Sequence, residues 1–366
     1  MTVPFLNLNA AYEEVSQQIE SAALNALRSG CFIGGPEVGN FETLFAAYCQ
    51  ADHAVSVANG LEALEIALHA FDIGPGDEVI VPTNTFIATW FAVARRGATI
   101  VPVEPDAETY NITVEAVAES LTTKTRAVIP VHLYGQPADI DGLMALAEER
   151  NLIVIEDAAQ CHGARCRGQR IGATAHAATW SFYPSKNLGA FGDGGAITTN
   201  DTVAAERMRL LRNYGSNQKY VHDLAGTNSR LDPIQAAMLA VKLPLLDEWN
   251  MRRQKVADLY LTGLSDTNLI LPKVADWATP VWHLFVVRHP ERENLMNALR
   301  DRGVDTLIHY PIPPHRQSAF AHLGFERGRF PISEQLAQDV FSLPMGPHLH
   351  LEHVERVILA FKELVA

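Results

Sequence analysis

The chain has 366 residues, 48% apolar and 19% charged, with a formal net charge of −13. Those figures describe a globular protein with room for a large unit and a smaller one. An acidic chain without any lysine or arginine run argues against nucleic acid or an anionic membrane as main partner, while leaving room for a local basic pocket around a phosphorylated ligand.

The opening "MTVPFLNLNAAYEEVSQQIE" has no basic start, apolar core or small-residue cleavage site, so it does not read as a secretory signal. No stretch reaches the roughly 18 apolar residues of a membrane span. The expected location is the cytoplasm. The four cysteines, Cys31, Cys49, Cys161 and Cys166, are too few for a disulfide framework. Cys161, His162 and Cys166 lie close together without a second ligand pair at zinc-like spacing, so no metal site is expected.

From about residue 50 to 200 short apolar runs alternate with amphipathic ones. "HAVSVA" predicts a strand, and "NGLEALEIALHAF" a helix from its leucine and isoleucine spacing. "DEVIVP", "ATIVPVE", "RAVIPVHLYG" and "LIVIED" predict further strands. "TFIATWFAVARRG", "TVEAVAESL" and "DIDGLMALAEERN" are the helices between them. Near-continuous β-branched runs joined by helices predict an α/β fold with a mainly parallel sheet covered on both faces. Later, "TVAAERMRLLRNYG" reads as a helix. "NSRLDPIQAAMLAVKLPLLDEWNMRRQKVADLYLTGL" reads as one or two long helices, with Asp232 at the cap and Pro233 in the first turn. "PVWHLFVVRH", "ENLMNALRDRG" and "HVERVILAFKELV" then predict a smaller α+β unit. The expected division is a large unit over 1–248 and a small one over 249–366.

Open α/β sheets bind ligands at the carboxyl ends of their strands. Glu156 and Asp157, Asn59 and Gly60, Ser181 to Lys186, and His132 with Tyr134 all fall at such ends. Lys186 is the sole formally charged side chain between Arg170 and Asp193, and lies between an apolar run and a glycine-rich one. A lysine in such surroundings has a lowered pKa and is a nucleophile toward carbonyls. Pyridoxal phosphate needs such a lysine. It also needs a carboxylate against its ring nitrogen, amide and hydroxyl donors for its phosphate, and an aromatic neighbour for its ring. Asp157 suits the first of these further needs, Gly60, Leu61 and Ser181 the second, and Phe86 the third. Phe86 is also simply explained as core.

The blocks "NGLEALEIAL", "GDEVIVPTNTFIAT", "VHLYGQPADID", "IEDAAQCHGA", "SFYPSKNLGAFGDGGAI" and "GTNSRLDPIQAAML" resemble the signature blocks of the DegT/DnrJ/EryC1 sugar aminotransferases, in the same order and over nearly the whole chain. The resemblance implies a fold type I pyridoxal-phosphate enzyme of the aspartate aminotransferase superfamily. It implies Lys186 as the Schiff-base lysine and proton carrier, Asp157 against the pyridine nitrogen, Gln160 on the phenolic oxygen and Phe86 on the ring. Gly60, Leu61 and Ser181 would hold the phosphate, with Asn228 entering from the second subunit of a homodimer. Many relatives carry threonine where this chain has Leu61, so only a backbone contact is implied there.

Family members with histidine in place of the lysine dehydrate sugars, so Lys186 implies transamination, with L-glutamate as donor. "IHYPIPPHRQSAF" resembles the branch acting on dTDP-linked 3-keto-6-deoxyhexoses. In that branch Tyr183, His309 and Tyr310 would surround the hexose and Lys219 would enter from the partner subunit. A 4-keto sugar, a cyclitol-type ketone, or a non-catalytic regulator binding cofactor or sugar are the alternative readings.

Overall fold

The computed structural model describes residues 2–365, the side chain of the last excepted. Three helices lead: α1 (Leu8–Glu14), α2 (Ser16–Arg28) and α3 (Pro36–Cys49). The expected alternation follows as β1 (His53–Val57), α4 (Gly60–Ala70), β2 (Glu78–Pro82), α5 (Ile87–Arg95), β3 (Thr99–Val103), α6 (Val114–Glu119), β4 (Thr125–Val128), α7 (Ile140–Arg150) and β5 (Ile153–Asp157). Two short strands, β6 (Arg165–Cys166) and β7 (Gln169–Arg170), precede β8 (Ala177–Ser181) and β9 (Gly195–Thr199). Helix α8 (Thr202–Leu211) leads to an exposed hairpin, β10 (Ser216–Gln218) and β11 (Val221–His222). Next come α9 (Pro233–Lys242), α10 (Leu246–Gly263), β12 (Ala278–Thr279), β13 (Phe285–Arg288), α11 (Arg292–Asp301), α12 (Pro331–Asp339), β14 (Val340–Leu343) and α13 (Leu351–Val365).

The main sheet has seven strands in the order β1-β9-β8-β5-β4-β2-β3. Only β9 runs against its neighbours, β1 and β8; the remaining pairs are parallel. The β-branched runs are continuous because alternate residues enter two different cores. Ile80 and Val154 face one core with Phe41, Phe45 and Trp180, while Val79, Val81 and Ile155 face the other with Leu64 and Trp90. Strand β9 was not marked by its sequence, "GAITT", which holds a single large apolar residue, Ile197. Its neighbours on both sides supply its register.

The long helical stretch splits where Pro244 sits inside a 3₁₀ turn, Leu243–Leu245. Asp232 occupies the N-cap of α9 but its side chain makes no capping bond, so the helix start rests on Pro233 alone. Helix α10 bridges two cores: Leu246 belongs to the first, while Val256, Ala257 and Tyr260 belong to a third, built with β13, β14 and α13. In α13, Val354, Val357 and Phe361 share one helical face, which buries them in that third core. Val3 is fully buried there too, paired to the 303–305 turn through Val3 N–H to the Gly303 carbonyl (2.7 Å) and Asp305 N–H to the Val3 carbonyl (3.1 Å).

Candidate active site

Strands β5 and β8 are parallel neighbours, and they end at Asp157 and Ser181. Helix α4 begins against the end of β8: a Cβ on Gly60 would lie 2.8 Å from that of Ser181. Asn59 caps this helix by accepting from the Glu62 amide at 2.9 Å, and the first helical bond runs from Ala63 N–H to the Asn59 carbonyl. The amides of Gly60 and Leu61 are left without helical partners, at the positively polarised end. Ser181 Oγ accepts from the Tyr183 amide at 3.3 Å, so its proton is free to be donated. Three donors therefore share a space that glycine keeps open, and that donor set fits a phosphate.

Past Ser181 the chain turns tightly. The Lys186 amide donates to the Tyr183 carbonyl at 2.8 Å and that of Ala190 to the Phe182 carbonyl at 2.7 Å. A Cβ on Gly189 would sit 2.3 Å from the Pro184 carbonyl oxygen, so the turn accepts no side chain there. Lys242 braces it from α9, donating to the Gly189 carbonyl at 2.8 Å with its ammonium 3.9 Å from the Phe191 ring centroid.

Lys186 thus lines a cavity of about 640 Å³, within the range of small-molecule sites. It is the sole lysine or arginine among the described lining residues. Burial lowers its pKa from 10.5 to about 8, opposed by the charge of Asp157. Near neutral pH about a tenth of the amine is then unprotonated, against less than a thousandth for a solvated lysine. Asp157 accepts from Thr89 Oγ1 at 2.8 Å and from the Ala159 amide at 3.3 Å. Burial raises its pKa above the usual 3.8, while Thr89, Ala159 and Lys186 hold it down.

Gly60, Leu61, Phe86, Gln160, Tyr183, His309 and Tyr310 line the same cavity. Phe86 is 52% exposed, so it belongs to the wall and not to the core. Its ring is 5.5 Å from that of Tyr310. Gln160 accepts from the Tyr134 amide at 2.7 Å and donates to Tyr310 Oη at 3.1 Å, which keeps one amide proton free. His309 is bonded to Ser342 Oγ at 2.8 Å, and burial, then the Lys186 charge, lowers its pKa to about 4.

Lys219 and Asn228 lie outside the cavity of their own chain. Lys219 is exposed at the tip of the β10–β11 hairpin with its ammonium 5.1 Å from the Tyr220 ring centroid, and Asn228 is exposed and bridged to Asn213. The resemblance assigns both to a second copy.

His132 and Tyr134 do not line the cavity; β4 ends at Val128, and their side chains are engaged elsewhere. His132 Nδ1 accepts from the Ala138 amide at 3.0 Å and its Nε2 donates to the fully buried Glu156 at 2.8 Å. Tyr134 Oη donates to the His309 carbonyl. Sequence reasoning missed Thr89 and His283, which meet Asp157 and the cavity respectively. Thr89 reads as one more polar residue of an amphipathic helix. His283 opens the apolar run "HLFVV", which was a visible signal without a partner to explain it.

A lysine of lowered pKa, a buried carboxylate and an anion cradle at the carboxyl edge of a mainly parallel sheet define an enzyme of the fold type I transferase class. Residues 13–362 match the DegT/DnrJ/EryC1/StrS aminotransferase family. The chain is 52% identical over 362 residues to dTDP-3-amino-3,4,6-trideoxy-alpha-D-glucose transaminase of Streptomyces venezuelae (99% of this chain, 96% of the relative). It is 50% identical over 358 residues to dTDP-3-amino-3,6-dideoxy-alpha-D-galactopyranose transaminase of Aneurinibacillus thermoaerophilus (98% of each). Among solved structures, S. venezuelae DesV in complex with a ketimine intermediate superposes with a TM-score of 0.98 at 52% identity, covering 99% of this chain and 98% of that one. NtdA of Bacillus subtilis with bound cofactor PMP gives 0.91 at 30% identity, covering 99% and 85%. The chain belongs to the DegT/DnrJ/EryC1/StrS aminotransferase family.

Proposed function

We propose that this chain is a pyridoxal-phosphate-dependent aminotransferase that transfers the amino group of L-glutamate to a dTDP-linked 3-keto-6-deoxyhexose. The observation that carries the reading is that Lys186, the sole lysine or arginine among the described lining residues, shares one cavity with Asp157 and with Gly60, Leu61 and Ser181. The relatives' names carry the sugar and the position of its amine.

Bound pyridoxal phosphate supplies an aldehyde for amines and a ring that accepts the electron pair left when a proton is removed beside nitrogen. The chain's own part is positional and protonic. The cradle holds the phosphate by three donors. Asp157, whose carboxylate form the Thr89 and Ala159 bonds favour against burial, would pair with the ring nitrogen and favour its protonated form. Gln160, with one amide proton free, would donate to the phenolic oxygen, and Phe86 would flank the ring. Lys186, whose amine burial makes easier to deprotonate, would be the nucleophile that attaches to the cofactor's aldehyde and, once released, the proton carrier.

Tyr183, His309 and Tyr310 receive the hexose. Tyr310 Oη accepts from Gln160 and so presents its own proton to the cavity. Lys219 and Asn228 complete the site from a second copy in a homodimer. No helix among the described residues is long and apolar enough to cross a membrane, which accords with the proposed cytoplasmic location. We place the boundary between large and small units at 248/249, inside α10.

The test loads the enzyme with pyridoxamine phosphate and mixes it separately with dTDP-linked 3-keto- and 4-keto-6-deoxyglucose, following the amino sugar by mass spectrometry. Amination of the 3-keto sugar alone is expected. Amination of the 4-keto sugar alone overturns the substrate and leaves the cofactor chemistry standing.

A further inference from the structure

Lys242 is 6% exposed, in the last turn of α9. Burial lowers its pKa from 10.5 to about 8, and no carboxylate among the described residues opposes that shift. A lysine hidden without a counter-charge is costly, and an apolar side chain of similar length would fill the space at less cost. The negative pole of the helix end offsets part of the burial. The groups its ammonium meets both lie on the segment that carries Lys186: the Gly189 carbonyl at 2.8 Å and the Phe191 ring centroid at 3.9 Å.

That segment is a closed turn. The Ala190 amide donates to the Phe182 carbonyl at 2.7 Å, and inside that closure the Lys186 amide donates to the Tyr183 carbonyl at 2.8 Å. Gly189 presses on the opposite limb, where a Cβ would lie 2.3 Å from the Pro184 carbonyl oxygen and 2.8 Å from its carbon. A shift at Gly189 is therefore passed to Pro184, two residues before the lysine. Helix α9 grips the outgoing limb a second time through Gln235 Oε1, which accepts from the Phe191 amide at 2.9 Å. The far side is fastened elsewhere: Asn187 Nδ2 donates to the Val281 carbonyl and to Asn250 Oδ1 on α10, both at 2.9 Å. Without Lys242 the turn would keep those two anchors and lose the one at the point where its limbs touch.

We propose that Lys242 is a positioning residue for the reacting lysine: its ammonium pins the Gly189 carbonyl and so sets the point from which the Lys186 side chain reaches into the cavity. Lys242 does not line that cavity, and it acts through the backbone of the turn. The role goes beyond the contacts proposed above and rests on Lys186 being the amine that attaches to the cofactor.

Lys242→Met keeps the length of the side chain and removes the donor. Two quantities are compared on the full-length chain freed of cofactor. One is the rate at which added pyridoxal phosphate becomes attached to Lys186 with loss of water, trapped by borohydride and counted as the modified Lys186 peptide by mass spectrometry. The other is the affinity for pyridoxamine phosphate, which has no aldehyde and reports the pocket without the lysine bond. Attachment is expected to slow about 10- to 100-fold while pyridoxamine phosphate affinity stays within about threefold. Phe191→Leu removes the ring beside the ammonium at a position 40% exposed, and is expected to slow attachment about threefold. It decides the matter should Lys242→Met not fold. Unchanged attachment, or an equal loss of both quantities, overturns the proposal. Attachment that fails at Lys186 in the wild-type chain as well overturns instead the reading of Lys186 on which the proposal rests.

Discussion

Adding one methyl group to Gly60 tests the anion cradle. The new Cβ would sit 2.8 Å from Ser181 Cβ and 3.4 Å from its Cα and Oγ. Carbon atoms pack at about 3.5–4.0 Å, so the start of α4 and the end of β8 must part by about 0.7 Å or more. Both atoms are anchored to backbone, and neither can swing aside. Overpacking of this kind costs about 1–3 kcal/mol. Here it falls on the two elements that supply the amides of Gly60 and Leu61 and the hydroxyl of Ser181. If the phosphate contact bears that cost, affinity for pyridoxal phosphate falls about 5- to 150-fold in Gly60→Ala, at 1.4 kcal/mol per decade. The assay titrates the cofactor-free protein with pyridoxal phosphate and, separately, with pyridoxal, following the bound chromophore. The loss is expected for the phosphorylated ligand while pyridoxal binding stays within a few-fold. An equal loss for both ligands, or none for either, refutes the assignment of this cradle to the phosphate.

Two further outcomes follow from the same geometry. Lys186→Ala is expected to abolish repeated transfer from glutamate to the keto sugar, with any product limited to one equivalent per site; steady multiple turnovers by mass spectrometry would remove the central role of this lysine. Asp157→Asn is expected to abolish activity yet stabilise the cofactor-free chain above the acid range. Because burial raises the Asp157 pKa from 3.8, the stability this group contributes is complete below 3.8 and is lost as pH rises through its folded value. Asparagine escapes that loss. Calorimetry should thus show a higher Tm for the variant at about pH 8 and little difference at about pH 4, and a lower Tm at pH 8 would contradict the reading.

The alternating runs showed the sheet plainly, since "DEVIVP" and "LIVIED" are apolar at every position that meets one of two cores. The antiparallel β9 was hidden because "GAITT" owes its conformation to β1 and β8, far away in sequence. At the site, Lys186 was legible from its isolation, and Asp157, Ser181 and Gly60 from their position at element ends. Phe86 could be read as core or wall from sequence, and only its exposure decides. The roles of Thr89 and His283 were illegible for a different reason, although His283 itself stands out at the head of an apolar run. Each is bonded to a partner 68 or 96 residues away, Asp157 for Thr89 and Asn187 for His283, and no local spacing encodes such pairs. His132 and Tyr134 were expected at a strand end, but β4 stops at Val128 and Tyr134 lies in the 3₁₀ turn Leu133–Gly135, so neither lines the cavity.

The burial of Val3 in the third core has a consequence for handling the protein. Met345 N–H donates to the Phe5 carbonyl at 3.3 Å, and the Phe5 ring lies 5.9 Å from that of His309. A purification tag or fusion partner spliced in place of residues 3–5 would therefore do more than decorate the surface. It would unstitch a segment whose Phe5 ring packs beside His309, a residue of the cavity wall, and engineered versions of this enzyme are better extended at other sites.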